Sequence, residues 1–350
     1  MHRLAVAPNA EWPERAGELG YTSLDAAGAS CWCEDAAYCF SSGQIDQLDA
    51  AAQRLEDMCL DLVDDVVCRG DYEAFRLSDT ACALVEDSWR RQDKNLYGRF
   101  DFAWDGRDAP MLLDYRADAP TELYESSVVQ WEWLHNYCSH CDQFNGIHET
   151  LIEAWKSFGL WGHRVHFACS RDAAADLGTV DYLRDTALQA GLDTGRLFID
   201  EIRWNGKRFT DLTAKPITVL FKLYPWDRML QESFAGRIGS SGMRLIEPAW
   251  KMLLSGGNLL PALWQRWPDH ENLLPASTDR DAIRGAKLPT LAQGGATPAW
   301  RQVIDLPCFD GFYPVLGVWV VASRPCGLGI RETRSPTGGN TDRFVPHLFE

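Results

Sequence analysis

The sequence predicts an α+β protein with mixed or antiparallel sheets and flanking helices. Three observations predict it: a long amphipathic helix near the start, seven strand-like runs interspersed with further helical segments, and one sharply alternating acidic hairpin. The first helix opens at Ser41, which forms a capping-box pattern with Gln44. From there Ile45, Leu48, Ala52, Leu55, Cys59, Leu62 and Val66 recur at helical spacing. A second helix is expected from about Thr121, with Glu122 and Glu125 in the turn that favours acids, running through residues 128–134. A third is expected around residues 180–188. Strands are expected at residues 99–104, 111–116, 164–169, 197–202 and 217–224, and as a pair at 315–321 and 327–331. Proline and glycine are dense from 255 to 314, which predicts loops around one helix carrying Leu259, Leu260, Leu263 and Trp264. No repeat or linker divides the chain, so residues 1–350 are read as one unit whose lobes cannot be separated from sequence.

The 350 residues are 46% hydrophobic, enough for one large core or two fused ones. No run approaches the roughly 18 consecutive apolar residues of a membrane helix, and the start lacks a charged segment followed by an apolar one. A cytoplasmic protein without membrane partners is expected. The 11 cysteines are odd in number and scattered singly among apolar residues, the pattern of reduced, mostly buried thiols. With 50 acidic against 34 basic side chains the net charge is -16, which opposes binding to nucleic-acid phosphates. Such a surface attracts a cationic small molecule such as a polyamine, and it equally serves solubility.

The most informative segment is GRFDFAWDGRDAPMLLDYRADAPT. Arg99, Asp101 and Ala103 alternate with Phe100, Phe102 and Trp104 before a turn rich in Asp, Gly and Pro, which reads as a β-hairpin. A loop at or near residues 106–109 sets Asp101 opposite Asp114 and Arg99 opposite Arg116, all on one face. Two facing carboxylates repel. Either the arginines themselves compensate, or a hard divalent ion does, with a nucleotide phosphate beside it. The alternative is a solvated charge ladder that contributes little.

At this hairpin the chain resembles the glutathionylspermidine synthase family, through GRFDFAWDG and LLDYRADAPTELYESSVVQWEWL. WCEDAAYCF, FKLYPWDRML around Lys222, EPAWKMLLS around Glu247, LLPALWQRWPDHENLLPA, LPCFDGFYPVLGVWVV, GLGIRET and DRFVPH follow in family order. The likeness is to stand-alone members that have the synthase domain without an amidase domain. It implies an ATP-grasp-like synthase fold that holds ATP and Mg²⁺ and activates a carboxylate as an acyl phosphate for attack by an amine. The implied partners are a small peptide-like acid and a cationic, polyamine-like amine. By position, Arg99 contacts the transferring phosphate, Asp101 and Asp114 bind Mg²⁺, and Arg331 stabilises charge developing at the acyl phosphate. Lys287, Gly294 and Gln302 match nucleotide-contacting positions. Under these roles Asp101→Asn removes a metal ligand and leaves the fold intact.

The chain also departs from the family pattern. Arg116 stands where an asparagine usually helps bind metal, and a guanidinium cannot ligate a cation. Gly257 takes the place of a phosphate-binding lysine, a family β-hairpin between Thr297 and Trp300 is missing, and Arg301 replaces one of two glutamines. A member that binds a ligand or partner without catalysis therefore stays open beside the ligase, as does a purely structural subunit. His135, Cys138, His140 and Cys141, near His148, are read as a helix end in preference to a zinc site. No GxxxxGK[ST], HExxH or G-x-S-x-G is present, and Gly327-Leu328-Gly329 is too short for a dinucleotide fingerprint. Trp226, Trp250, Trp264 and Trp267 are expected in the core. Gly257→Lys is expected to tighten ATP binding by about 1.5–3 kcal/mol, one charge-assisted hydrogen bond, measured by calorimetric titration. An unchanged affinity would show a nucleotide site built differently from the family's.

Overall fold

The computed structural model describes residues 1–21, 31–138, 140–172, 174–290, 299–336 and 343–349. Its first organising element is the helix Ser42–Arg69. The Ser41 hydroxyl accepts the Gln44 N–H and the Gln44 side chain accepts the Ser41 N–H, so two otherwise unpaired donors are satisfied at once. Gly70, at φ 67°, ends the helix in the left-handed turn that glycine adopts without a steric penalty. The apolar stripe from Ile45 to Val66 is buried. It shares one hydrophobic cluster with Phe100, Phe102, Leu316, Val318 and Ile330 of a five-stranded antiparallel sheet.

That sheet runs in the order Arg343–Val345, Arg324–Thr333, Tyr313–Val321, Tyr97–Ala103, Met111–Arg116. One face meets the helix. The period of two then delivers Arg99, Asp101, Asp114, Arg116 and Arg331 to the other face. A separate four-stranded parallel sheet, in the order Arg244–Ile246, Val219–Leu223, Arg164–Cys169, Asp193–Phe198, is packed by the helices Ile147–Ser157 and Ala174–Gln189. Small sheets complete the fold: His2–Ala5 with Ala36–Phe40 and His347–Phe349, then Ala276–Ser277 with Trp300–Gln302 and Lys287–Pro289, and a two-stranded pair at Arg203–Trp204 and Phe209–Thr210. Buried ion pairs tie these parts together. Glu332, 1% exposed, accepts from Arg3, Arg343 and the Tyr38 hydroxyl, joining the N-terminal strands to the central sheet.

Most expected elements are present, including the helix Leu259–Arg266 within the loop-rich stretch. The strand expected at 197–202 is shifted: it spans Asp193–Phe198 and stops because the Glu201 carboxylate accepts the Phe198 N–H and caps a 3₁₀ turn. Glu122 is not in a helical turn but precedes the helix at φ 71°. Cys138 and Cys141 form a disulfide, which corrects the expectation that all thiols are reduced; four of the nine free cysteines are buried. Trp226 and Trp250 are core, while Trp264 and Trp267 are half-buried. Among the described residues no helix is long and apolar enough to cross a membrane.

His347 is fully buried, with Nδ1 2.9 Å from the Gln130 side-chain oxygen and Nε2 accepting the Phe144 N–H at 3.2 Å. This pair of partners selects the neutral ring protonated at Nδ1. Burial pushes the imidazole down to about 3. The unfolded chain takes up this proton below about 6.5 and the folded chain does not, so the contribution is complete above that pH and shrinks as pH falls. The melting-temperature advantage over His347→Gln should therefore narrow as pH is lowered from about 7 to about 4. A constant gap would show that the ring titrates normally.

Candidate functional site

Arg99 pairs with Arg116 and Asp101 with Asp114 across the hairpin, the register that its alternation predicts. A bulge after Asp101 shifts the remainder by one residue. On the neighbouring strand Gly317 lies beside Asp101 and pairs in turn with Gly329. Neither position has room for a side chain. A Cβ on Gly317 would stand 2.7 Å from Arg99 Cδ, and one on Gly329 would overlap the Ser126 hydroxyl. The bare backbone of Gly317 gives Arg99 the room to lie against the sheet beside Asp101, and that of Gly329 lets the segment carrying Ser126 approach.

Asp101 is the hub of this face. Arg99 holds it with both ends of its fork, Nε to Oδ1 at 2.7 Å and Nη2 to Oδ2 at 3.1 Å. Arg331 Nη2 reaches Oδ2 at 3.1 Å and Arg116 Nε at 3.4 Å. Burial alone would raise this carboxyl, but Arg99, Arg331 and Arg116 outweigh it and hold it at about 2. Asp114 has fewer partners: Oδ1 accepts the Tyr115 N–H at 2.9 Å and Oδ2 lies 3.6 Å from Arg116 Nε. Its carboxyl is raised, by burial first and then by the Asp101 charge.

Glu122 closes the cluster, 2.9 Å from Arg99 Nη1 and 3.1 Å from Arg331 Nε. Its carbonyl accepts the Ser126 N–H, so it begins the following helix from a left-handed backbone that only a few non-glycine residues adopt. Sequence reading placed Glu122 in a helical turn and gave it no role at the site. Its one sequence signal is its place just after the hairpin. Arg99 is 2% exposed by side chain, whereas Arg331 and Arg116 are 22% and 37% exposed, so these two form the open edge.

The carboxylate pair can be tested against the divalent ion that the resemblance implies. Both oxygens of Asp101 already accept from guanidinium groups, and Arg116 Nε lies within 3.4 and 3.6 Å of one oxygen of each carboxylate. An ion bound at about 2.1 Å from these oxygens would sit against a fixed positive charge. Magnesium does not fit the pair in this arrangement.

Lys287 and Gln302 are brought opposite one another in the small sheet. Lys287 donates to the Arg280 carbonyl and lies 3.7 Å from Asp281, so it is engaged locally. The adjoining Arg301 is lowered by burial and opposed by the Asp114 charge, a residue the sequence marked only as a departure. Gly294 lies outside the described residues. The Gly257 carbonyl accepts from the Thr290 hydroxyl at 2.8 Å.

The motifs around Lys222 and Glu247 prove to be internal struts. Lys222 donates to Asp118 at 2.7 Å, and Glu247 pairs with Lys251 while accepting the Leu96 and Tyr97 N–H groups. Cys138, His140 and Cys141 come within 4.8 Å of one another, but the two thiols are joined and are not free ligands.

This geometry revises the expected behaviour of Asp101→Asn. Removing the carboxylate leaves Arg99 buried without its main partner, and the loss of one member of such a pair costs about 3–5 kcal/mol. Asp114→Asn, at a carboxylate 29% exposed by side chain and with no guanidinium nitrogen closer than 3.6 Å, should cost less, about 1 kcal/mol. Urea denaturation of both variants checks the contrast. Equal stabilities would remove Asp101 as the hub.

The comparisons with known proteins agree with this architecture. A profile of the family described as glutathionylspermidine synthase preATP-grasp matches residues 3–298 and 292–350. A Haemophilus influenzae protein named as a candidate acid–amine ligase is 38% identical over 92% of both chains. Trypanothione synthetase of Crithidia fasciculata is 24% identical over 77% of this chain and 50% of its own length. The bifunctional glutathionylspermidine synthetase/amidase of Escherichia coli is 25% identical over 53% and 34%. The chain thus spans about half and a third of those two proteins. A glutathione synthetase-like effector of Globodera pallida superposes with a TM-score of 0.53 at 9% identity, covering 89% of this chain and 88% of that one, and so shares the fold. The chain is a member of the glutathionylspermidine synthase family, with an ATP-grasp-like synthase fold.

Proposed function

We propose that the protein is an ATP-dependent ligase that joins a peptide-like acid to a cationic, polyamine-like amine through an acyl phosphate, acting as one unit over residues 1–350 in the cytoplasm. The family is one of ATP-dependent amide-forming ligases. The observation that carries the reading is the convergence of Arg99, Arg116 and Arg331 on one polar sheet face, with Arg301, from the strand that pairs with Lys287–Pro289, near enough to interact with the Asp114 charge.

The acid's carboxylate oxygen attacks the γ-phosphorus and ADP leaves with the bridging electron pair. The amine nitrogen then attacks the carbonyl carbon, phosphate departs with the C–O electrons, and the nitrogen gives up a proton. Both steps move negative charge through oxygens, and preorganised cations stabilise such charge at no reorganisation cost. Arg331 and Arg116 are the charges a phosphate would meet at the open edge. Arg99, with its donors committed to Asp101, Glu122 and the Thr121 carbonyl, positions them. Lys287, Gly294 and Gln302 are assigned to the nucleotide. The excess of 50 acidic over 34 basic residues supports a cationic amine. Arg116 between the two carboxylates also favours a second reading, a member that binds without catalysis.

ATP should be consumed only when an acid and a primary amine are both present, because an acyl phosphate formed early would be lost to water. Arg331→Ala should lower kcat more than it raises KM, since its charge matters most in the transition state. Coupled measurement of ADP release and amide product across a panel of peptide acids and polyamines decides the matter. A folded protein that binds a polyamine yet yields neither ADP nor amide would establish the binding reading.

A further inference from the structure

We infer that Arg116 is a built-in cation that occupies the place of a divalent ion between Asp101 and Asp114, so that an anionic phosphate ligand meets guanidinium groups directly at this face. Facing carboxylates need a positive charge between them, and the structure shows which one is present. Arg116 comes from the same strand as Asp114, two residues on, so its side chain leaves the same face. Its Nε lies 3.4 Å from Asp101 Oδ2 and 3.6 Å from Asp114 Oδ2. Arg331 Nη2, at 3.1 Å, takes a further position on Asp101 Oδ2, and the Arg99 fork takes the rest of that carboxylate.

The two candidate cations exclude one another. A divalent ion needs carboxylate lone pairs along the lines that the guanidinium N–H groups now use, and the two positive charges would share a space only a few ångströms across. A guanidinium also differs from an ion in what it offers outward. It presents further N–H donors, in the planar fork that matches phosphate oxygens. Of the three guanidinium groups that contact Asp101, Arg116 and Arg331 are the two with exposed surface.

The cation half of this inference stands independently, and the phosphate half rests on the ligase reading. The first experiment is therefore a Mn²⁺ titration of the full chain without nucleotide, followed by electron paramagnetic resonance. The wild-type protein should show no stoichiometric site. Arg116→Asn should gain one, and a second change, Asp114→Asn, should remove it again; circular dichroism confirms that each variant is folded. A wild-type site abolished by Asp114→Asn would overturn the inference. So would an Arg116→Asn protein that is folded and binds no Mn²⁺.

The second experiment measures ATP binding by calorimetry with Mg²⁺ and with EDTA. Wild-type affinity should differ by less than about threefold between the two conditions, and Arg116→Asn should lose about tenfold or more in EDTA, the equivalent of one charge-assisted contact. A wild-type affinity that collapses in EDTA would overturn the phosphate half. Absence of ATP binding in both conditions would sink the ligase reading, and the phosphate half with it, and would leave the cation half to the Mn²⁺ result.

Discussion

The ion pair between Arg99 and Asp101 sets the conditions for the rest of the site. Both side chains are almost entirely out of water, at 2% and 5% exposure. Two charges in such a place are tolerated only when each satisfies the other's hydrogen-bonding capacity. The bidentate fork does this for Asp101. Glu122 and the Thr121 carbonyl do it for the remaining Arg99 nitrogen. From this follows the missing side chain at Gly317, which would collide with Arg99; Gly329 is bare for a separate reason, the close approach of the helix carrying Ser126. The left-handed backbone of Glu122 follows too, because it turns a carboxylate back toward the sheet at the point where the helix begins.

A second tier of buried pairs fixes where the hairpin starts. Glu247 accepts the N–H groups of Leu96 and Tyr97, and Lys251 donates to the Tyr97 carbonyl, so the strand enters the sheet from a fixed point. Lys222 on the parallel sheet and Asp118 beyond the hairpin pair at 2.7 Å, and Asp118 also accepts the Trp226 N–H. The segments around Lys222 and Glu247 carry a family resemblance, yet these charged residues serve the scaffold. Resemblance in such segments speaks for the fold, whereas residues on the open face speak for the chemistry.

Periodicity made the central architecture legible. The period of two in residues 99–104 fixed both the register and the polar face, and the Ser41–Gln44 pair marked the helix start, because each is a local signal with one geometric solution. Other features depend on contacts that a local pattern does not carry. The approach of Arg301 to Asp114 brings a late strand and the hairpin together across a long stretch of chain. The Cys138–Cys141 disulfide was visible as a spacing, but a C-x-x-C pair takes a metal, a bond or neither according to its surroundings. Glu122 lies in the resemblance segment, yet its role depends on a backbone conformation that side-chain pattern does not encode.

Charge balance explains why Arg116 and a divalent ion are alternatives. As the cluster stands, the guanidinium groups of Arg99, Arg116 and Arg331 face the carboxylates of Asp101, Asp114 and Glu122, so these six contacting groups balance one another, and Arg301 adds a further positive charge felt at Asp114. With an asparagine at position 116 the facing carboxylates of Asp101 and Asp114 would lose the cation that lies between them, and Asp114 would keep only the more distant charge of Arg301. A carboxylate so placed must find a counter-ion or a proton. A divalent ion meets that demand with two charges and leaves the larger positive surplus to meet phosphate, whereas Arg116 meets it with one. An incoming phosphate at this face would therefore depend more heavily on hydrogen-bond geometry than on net charge. Geometry of that kind is what a planar guanidinium fork held by a buried carboxylate supplies.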